Sequence, residues 1–494
     1  MPVINRDFLS LLAKTSAVLT KHNCESYVVG GFVRDWLLDR ETADIDIAVG
    51  GNALRIAKEV ARAINGSYVL LDEVNRVARI MVVENGKQWQ LDFASFSSSI
   101  EDDLARRDFT VNAMAVVLEE MSSGSPSLID PFSGENDLKA GVVRATSQRI
   151  FEHDAARLLR AVRLAAELGF KIETETESLI RQNCQLIRLV PGERLREELL
   201  RLLILPGSAD MVRYLDELAL LTEVIPEVGE MKGVEQPKEH YWDVFNHSIE
   251  TMAAVEFLFR ESDWKCGDRH LLSTVPWSDE LSQHFSEEVS RGSNRRALLK
   301  LGGLLHDIAK PAAKTIDETG RMRFLGHTRQ GAEMASVILE RLRFSSKEIK
   351  LVEKLIYHHL HPVQMSNGGL PTSRAIYRYF RDTEGAGNDI LFLALADYLA
   401  TVGPRLDIKE WQKHNQLINY IMNENSRQEV KILPVKLVDG YELMNIFNLS
   451  PGRLVGELLT MVHEAHAAGE VSTREEAINL VRKELKKKYC LTAC

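Results

Sequence analysis

The chain has 494 residues, 45% of them apolar and 27% charged, and carries a net charge of −10. That length exceeds one hydrophobic core and predicts several domains, and the acidic balance argues against a sequence-blind nucleic-acid binder held by overall charge. There is no run of about 18 apolar residues, so no membrane helix is expected. The opening MPVINRDFLSLLAKT lacks the build of a signal peptide, so the expectation is a cytoplasmic protein with no membrane partner. The five cysteines are scattered without a CxxC pair, which indicates neither a disulfide framework nor a cysteine zinc site.

In chain order, residues 1–25 read as an amphipathic helix. A strand at 27–29, a Gly-Gly turn and a helix start at 33–38 follow. The next strand carries Asp44 and Asp46, and a helix at 53–64 precedes strands near 67–71, 77–84 and 88–94. Asn85-Gly86 is a hairpin turn signal. From about 150 the period becomes helical and stays so to the C-terminus, with Pro-Gly pairs at 191–192 and 206–207 as punctuation. The polar stretch from Cys266 to Arg296 reads as a loop insertion.

Two carboxylates on an otherwise apolar strand need a reason. In D-I-D, Asp44 and Asp46 share one face of the strand and Ile45 takes the other. Adjacent acids repel and resist burial, so a cation between them is expected. Mg²⁺ suits such a pair when phosphate oxygens complete its shell, and a metal pair can activate a hydroxyl and stabilise a departing pyrophosphate. Asp92, in WQLDFAS, can add a third acid from a neighbouring strand. Gly30 and Gly31 offer backbone N–H groups to a phosphate, and Arg34 can reach triphosphate oxygens. Each feature alone is weak: a lone D-x-D is most often a solvated strand end. Their conjunction within about 20 residues is much rarer by chance. DDLARRDFTVNAMAV adds Arg106 and Arg107 on a helix that then turns apolar.

GGFVRD, then D-I-D, then RRDFTVNAMA, in order and at family-like spacing, closely resemble the class II tRNA nucleotidyltransferase and bacterial poly(A) polymerase family, which is DNA polymerase β-like. The resemblance implies Asp44 and Asp46 as catalytic metal ligands, and Gly30, Gly31, Arg34 and Arg107 as nucleotide contacts. HDAARLLRAVRLAAELGF resembles the family's nucleotide-selecting helix. Asp154, Arg157, Arg160 and Arg163 lie three apart, so they roughly share one helical face, and all four are read as nucleotide-binding. By the resemblance, Asp154 and Arg157 pair with the incoming base. A carboxylate accepts from the exocyclic amine of C or A and rejects the carbonyl of U or G, so no template strand is needed. Here His153 and Ala155 flank the Asp where the family commonly has Glu-Asp-Pro. The connection from Asp92 to Glu101 is also short, and in the family a shortened loop is associated with enzymes that add only the two cytidines. PGERLREELLRLL resembles a further family helix, read as structural. Residues 144–201 hold eleven basic residues, ten of them Arg, the best candidates for an RNA-facing strip.

A second set follows: His247, then His306-Asp307 in LLHDIAKP, His327, His358-His359 and Asp397. A single helical histidine is usually a surface or satisfied core residue. The ordered set resembles the HD-domain metal-dependent phosphohydrolases. It implies His247, His306, Asp307 and Asp397 around one divalent transition metal, with His327 and His358 able to complete a second.

The expected fold is an α+β nucleotidyltransferase head, a small mixed sheet with helices at 1–148. An all-α neck at 149–238, an HD domain at 239–404 and a helical tail at 405–494 complete it. The expected function is template-independent addition of C and/or A from CTP and ATP to tRNA 3′ ends: CCA, CC only or A only. A partial specificity implies a second nucleotidyltransferase in the cell. The alternatives are a poly(A) polymerase, or an HD phosphodiesterase or phosphatase whose head only binds.

Overall fold

The structure is a computed structural model that describes residues 6–123, 126–366, 369–431 and 437–490. It divides into two compact units. The first is the chain up to Leu202 together with Tyr214–Val224; the second is Leu203–Arg213 with the chain from Ile225 onward.

The first unit is built on a seven-stranded sheet: β1 (Ser26–Val29), β2 (Asp44–Gly50), β3 (Ser67–Asp72), β4 (Val77–Glu84), β5 (Lys87–Phe96), β6 (Ala115–Val117) and β7 (Leu128–Ile129). Their spatial order is β3-β4-β5-β2-β1-β6-β7. Only β2 and β5 run parallel; the other neighbours are antiparallel. Asn85 and Gly86 both take positive φ in the β4–β5 turn, as a two-residue hairpin with right-handed twist requires. On β2 the two faces differ. Ile45, Ile47 and Val49 are fully buried, and the helix Ala53–Ala63, capped by the Asn52 side chain, buries Ile56, Ala57 and Val60 in the same unit. The opposite face is apolar at Ala48, which joins Val29, Phe96, Ile100 and Leu104 in a small cluster. It is polar one step earlier, at Asp46 and then at the exposed Asp44. The helix Ile100–Ala105 thus covers one end of this face and leaves the acidic end open. Three residues separate β5 from that helix, and Ser99 caps it by accepting from Asp102 N–H.

Three expectations need correction. Arg106 and Arg107 do not lie within a helix: the helix ends at Ala105, and the apolar continuation is a 3-10 turn at Thr110–Asn112. The helix expected to select the nucleotide is interrupted. A short turn, Ile150–His153, ends at Asp154, which is extended, and the long helix runs Arg157–Leu168. The physical reason is local: the Asp154 carboxylate accepts from Ala156 N–H and closes a turn that competes with helical pairing. The stretch from Cys266 to Arg296 is not a plain loop. It folds as a 3-10 turn, the helix Asp279–Ser286 and two short strands, and buries Leu271, Leu281 and Phe285.

The second unit is almost entirely helical. Val244–Leu258 and Gly387–Val402 are apolar on nearly every side and form the centre of a bundle, with Arg295–Leu305 and Ser346–His358 against them. Lys300 is fully buried there; its ammonium donates to the carbonyls of Leu203 and Leu205 and pairs with Glu261 at 2.7 Å. The three last helices, Gly440–Phe447, Arg453–Ala467 and Arg474–Cys490, have a core of their own around Leu443, Leu458, Val462 and Val481. Arg378 and Arg381 both pair with Glu464 on the second of them. Among the described residues no helix is long and apolar enough to cross a membrane.

Candidate active site

A cleft of about 480 Å³ opens over the acidic end of β2 and lies wholly within the first unit. It is lined by Gly31, Arg34, Asp44, Asp46, Arg107, Asp154, Arg157, Arg160 and Arg163, residues drawn from the sheet, its loops and the helices after residue 149. Of the head and neck residues singled out from sequence, Gly30, Asp92 and Arg106 do not line it.

Gly30 sits just beneath. Its φ is +71°, and a Cβ there would meet Arg107 Nη1 at 2.5 Å and Asp46 Oδ2 at 3.1 Å. Only glycine lets the guanidinium and the carboxylate come this close over the turn. Burial raises the Asp46 carboxyl above its usual range; Asp92 and Asp44 add to this and Arg107 opposes it. An acid in that condition suits a divalent cation, which removes the repulsion that Arg107 and Arg160 only partly offset. Asp44 and Asp46 therefore fit the metal their spacing implies. Asp92 is Asp46's register partner across the parallel β2–β5 pair. Both of its oxygens accept from Arg79, at 2.8 Å each.

A buried polar chain holds the cleft's other side. Arg34 pairs with Asp35 at 2.8 Å and donates to the Asn112 Oδ1 at 2.7 Å. Asn112 donates to Asp108, and Arg160 Nε lies 2.9 Å from the other Asp108 oxygen. Burial alone would raise the Asp108 carboxyl, but Arg160, the Asn112 amide and the Phe109 N–H outweigh it and hold it below its usual range. Asp108 and Asn112 were not singled out from sequence, although both stand in RRDFTVNA.

Asp154 and Arg157 both reach the cleft but do not clasp each other; their closest approach is 4.0 Å. Asp154 is held instead by Arg194 on the helix Gly192–Ile204, with Nη1–Oδ1 at 2.9 Å and Nη2–Oδ2 at 2.7 Å. Burial opposes ionisation of Asp154, and Arg194 overcomes it and lowers the pKa. Arg157 donates to the Arg106 carbonyl through Nη2, while its buried Nη1 has no partner among the described residues. Arg163 is buried and tied to Glu198 and Glu167, at 2.5 Å each.

The histidines gather in the second unit. His247 Nε2 lies 3.2 Å from His306 Nε2, 3.0 Å from Asp397 Oδ1 and 3.4 Å from Asp307 Oδ2. His327 Nε2 is 3.5 Å from Asp307 Oδ1, and both atoms are buried with no hydrogen-bond partner among the described residues. His306, His327 and His359 turn Nδ1 toward the carbonyls of Gly303, Phe324 and Ile356, which frees Nε2 for a ligand. It is His359, not His358, that reaches Asp307, at 4.0 Å. His358 stacks on His361 and faces away, because the two neighbours lie about 100° apart around the helix end. Burial lowers His306, but Asp307 and Asp397 outweigh it and bring it to about 10. Three further residues crowd the site: Lys310, 2.6 Å from Asp307, Gln236, which accepts from Lys310, and His240 against His247. So many buried donors converging on two acids fit a divalent transition metal.

The poly A polymerase head domain matches residues 26–144, the probable RNA and SrmB-binding site of polymerase A matches 169–231, and the HD domain matches 244–402. The A-adding tRNA nucleotidyltransferase of Deinococcus radiodurans is 33% identical over 462 residues, 92% of this chain and 94% of that one. The chain belongs to the class II tRNA nucleotidyltransferase and bacterial poly(A) polymerase family. A second member, the CC-adding tRNA nucleotidyltransferase of Thermus thermophilus, is 29% identical over 461 residues, 92% of each chain. The CCA-adding enzyme of Thermotoga maritima complexed with tRNA has the same fold. Its TM-score is 0.62 at 24% identity, and the match covers 98% of this chain and 96% of that one.

Proposed function

We propose that the cleft transfers CMP or AMP from CTP or ATP to the 3′ end of tRNA and builds part of the CCA terminus. The observation that carries this is the convergence of Asp44, Asp46, Gly31, Arg34 and Arg107 with Asp154 and Arg157 on one cleft. The RNA 3′ oxygen bonds to the α-phosphorus in line as the bond from that phosphorus to the β-phosphate's bridging oxygen breaks. The hydroxyl proton is lost and pyrophosphate leaves.

Asp44 and Asp46, with Asp92 beside them, are the residues to hold Mg²⁺. When bound, it lowers the hydroxyl's pKa and offsets charge on the phosphates. Gly30 and Gly31 keep the floor of the site free of side chains, so a triphosphate can approach the backbone. Arg107 and Arg34 face its oxygens; Arg34 does so from a fixed rotamer, because Asp35 and Asn112 hold it. Asp154 accepts from the exocyclic amine of C or A, and Arg157, which lines the same cleft, donates to a ring acceptor. Arg160 and Arg163 shape the pocket: Arg160 anchors Asp108, and Arg163 is committed to two glutamates.

Partial addition is favoured over full CCA. The two full-length relatives above are named for adding A or for adding CC, and the three-residue step from β5 to the next helix is the short form of the loop. A second nucleotidyltransferase then completes the end in the same cytoplasm. Labelled CTP and ATP, offered singly and together, test this with tRNA transcripts ending at the discriminator base or at CC. Cytidines on the first transcript only make it CC-adding, and adenosine on the second only makes it A-adding. Full CCA overturns the partial reading, and long A tails on any RNA make it a poly(A) polymerase.

The HD cluster supports a second, separate reading: a transition-metal site able to hydrolyse a phosphoester. The uncompensated acceptor Asp307 Oδ1 and the free Nε2 of His327 are its strongest support.

A further inference from the structure

Register partners line up five residues across the sheet. Val69, Arg79, Asp92, Asp46 and Val29 stand opposite one another on β3, β4, β5, β2 and β1. Direct partners project to the same face, so this is one row. Gly30 and Gly31 continue β1 at one end of it. Asp92 and Arg79 extend it the other way, beyond the acids and outside the nucleotide cleft.

Arg79 spends two of its nitrogens on Asp92. Its Nη1 makes no hydrogen bond among the described residues, and its side chain is 27% exposed. Its place suggests another use. In-line displacement needs the attacking oxygen opposite the leaving pyrophosphate. With the triphosphate at the Gly30–Gly31 end, the RNA 3′ end comes from the β5–β4 side. A 3′-terminal nucleotide carries its own phosphodiester with it. The arginine two strands from Asp46 is about 10 Å away at the backbone, within reach of that phosphate.

We propose that Arg79 is the acceptor-strand contact: its guanidinium binds the phosphodiester of the RNA's terminal nucleotide. As it does so it loosens its hold on Asp92, whose carboxylate is then free to join Asp44 and Asp46 around a divalent cation. The inference rests on the nucleotidyl-transfer reading above. It makes Arg79 a sensor that completes the acid set only when an acceptor is in place.

The test is a binding experiment that needs no turnover. A labelled tRNA transcript is prepared with its last internucleotide link either as phosphate or as neutral methylphosphonate. Its affinity for wild type, Arg79→Gln and Arg79→Lys is measured by fluorescence anisotropy. Wild type should bind the methylphosphonate about tenfold more weakly, the loss expected for one charge-assisted contact. Arg79→Gln should bind both RNAs alike, at the weaker level, and Arg79→Lys should recover part of the difference. Mn²⁺ binding without RNA, read by electron paramagnetic resonance, should tighten in Arg79→Gln because Asp92 has lost its competitor. A full methylphosphonate penalty in Arg79→Gln would overturn the phosphate contact, and unchanged Mn²⁺ affinity would overturn the release of Asp92. Failure of the reading beneath is seen separately: Asp46→Ala would then incorporate nucleotide at the wild-type rate, whatever Arg79 does.

Discussion

Arg194 grips Asp154 through two parallel hydrogen bonds, at 2.9 and 2.7 Å, from a helix forty residues further along the chain. On the proposed reading, the carboxylate that reads the base is thus aimed by Arg194. Arg194 also keeps the carboxyl ionised against the effect of burial. Arg194→Met should release both constraints. Discrimination of CTP and ATP against UTP should fall by about tenfold, the worth of one well-placed polar contact. The acid limb should move as well. Arg194 lowers the Asp154 pKa, so removing it raises that pKa, and incorporation is lost at a higher pH as the solution is acidified. Single-nucleotide incorporation across a pH series measures both, and an unmoved limb would mean that Arg194 only packs.

Gly30 predicts a sharp mutational effect. A Cβ would lie 2.5 Å from Arg107 Nη1, on a backbone with φ +71°. Gly30→Ala should cost about 1–3 kcal/mol of stability, because φ +71° with ψ −136° is a backbone conformation that side-chain-bearing residues rarely adopt. It should cost much more in kcat, because Arg107 must move from the place where the proposed reading has it face the triphosphate. Thermal melting and steady-state kinetics together separate the two effects. A kcat within twofold of wild type would contradict the placement of Arg107.

Asp108 joins Arg160 to Asn112 and, through it, to Arg34. Asp108→Asn keeps the shape and removes the charge. Stability should fall by about 2 kcal/mol, the range for a hydrogen bond to an ionised group. KM for the nucleotide should rise as Arg34 loses its fixed position. Urea unfolding checks the first effect, and initial rates over a CTP series check the second.

The histidine site makes a paired prediction. His359→Ala should lower the transition metal retained after dialysis, and His358→Ala should leave it unchanged. Neither should alter CTP incorporation, since the cleft belongs to the other compact unit. Metal analysis of the purified variants is the check; equal losses from both would contradict the assignment of His359.

These residues differ in how visible they were in the sequence. Asp44 and Asp46 could be put on one face from spacing alone, because a strand has period two wherever it pairs. The row from Asp154 to Arg163 could not be placed the same way. Arithmetic in threes presumes an unbroken helix, and one Asx turn at Asp154 removes its first member. His358 and His359 are neighbours, and choosing between them needs the phase of a helix end, which sequence leaves undetermined to within a residue or two. Arg79 and Arg194 carry no local signal. Each is defined by a partner on another element, Asp92 or Asp154, and only tertiary structure pairs them. Family resemblance supplied the reaction and the helix bearing Arg194, but not its hold on Asp154.

The most direct measurement is incorporation of labelled CTP and ATP into tRNA transcripts by wild type and by Asp46→Asn, with Mg²⁺, on protein shown by circular dichroism to be folded. The account predicts nucleotide addition by wild type, loss of at least about a thousandfold in the variant, the scale on which groups central to catalysis act, and unchanged tRNA binding. Incorporation by Asp46→Asn at the wild-type rate would contradict it, and the reaction would then have to be sought away from the acids of β2.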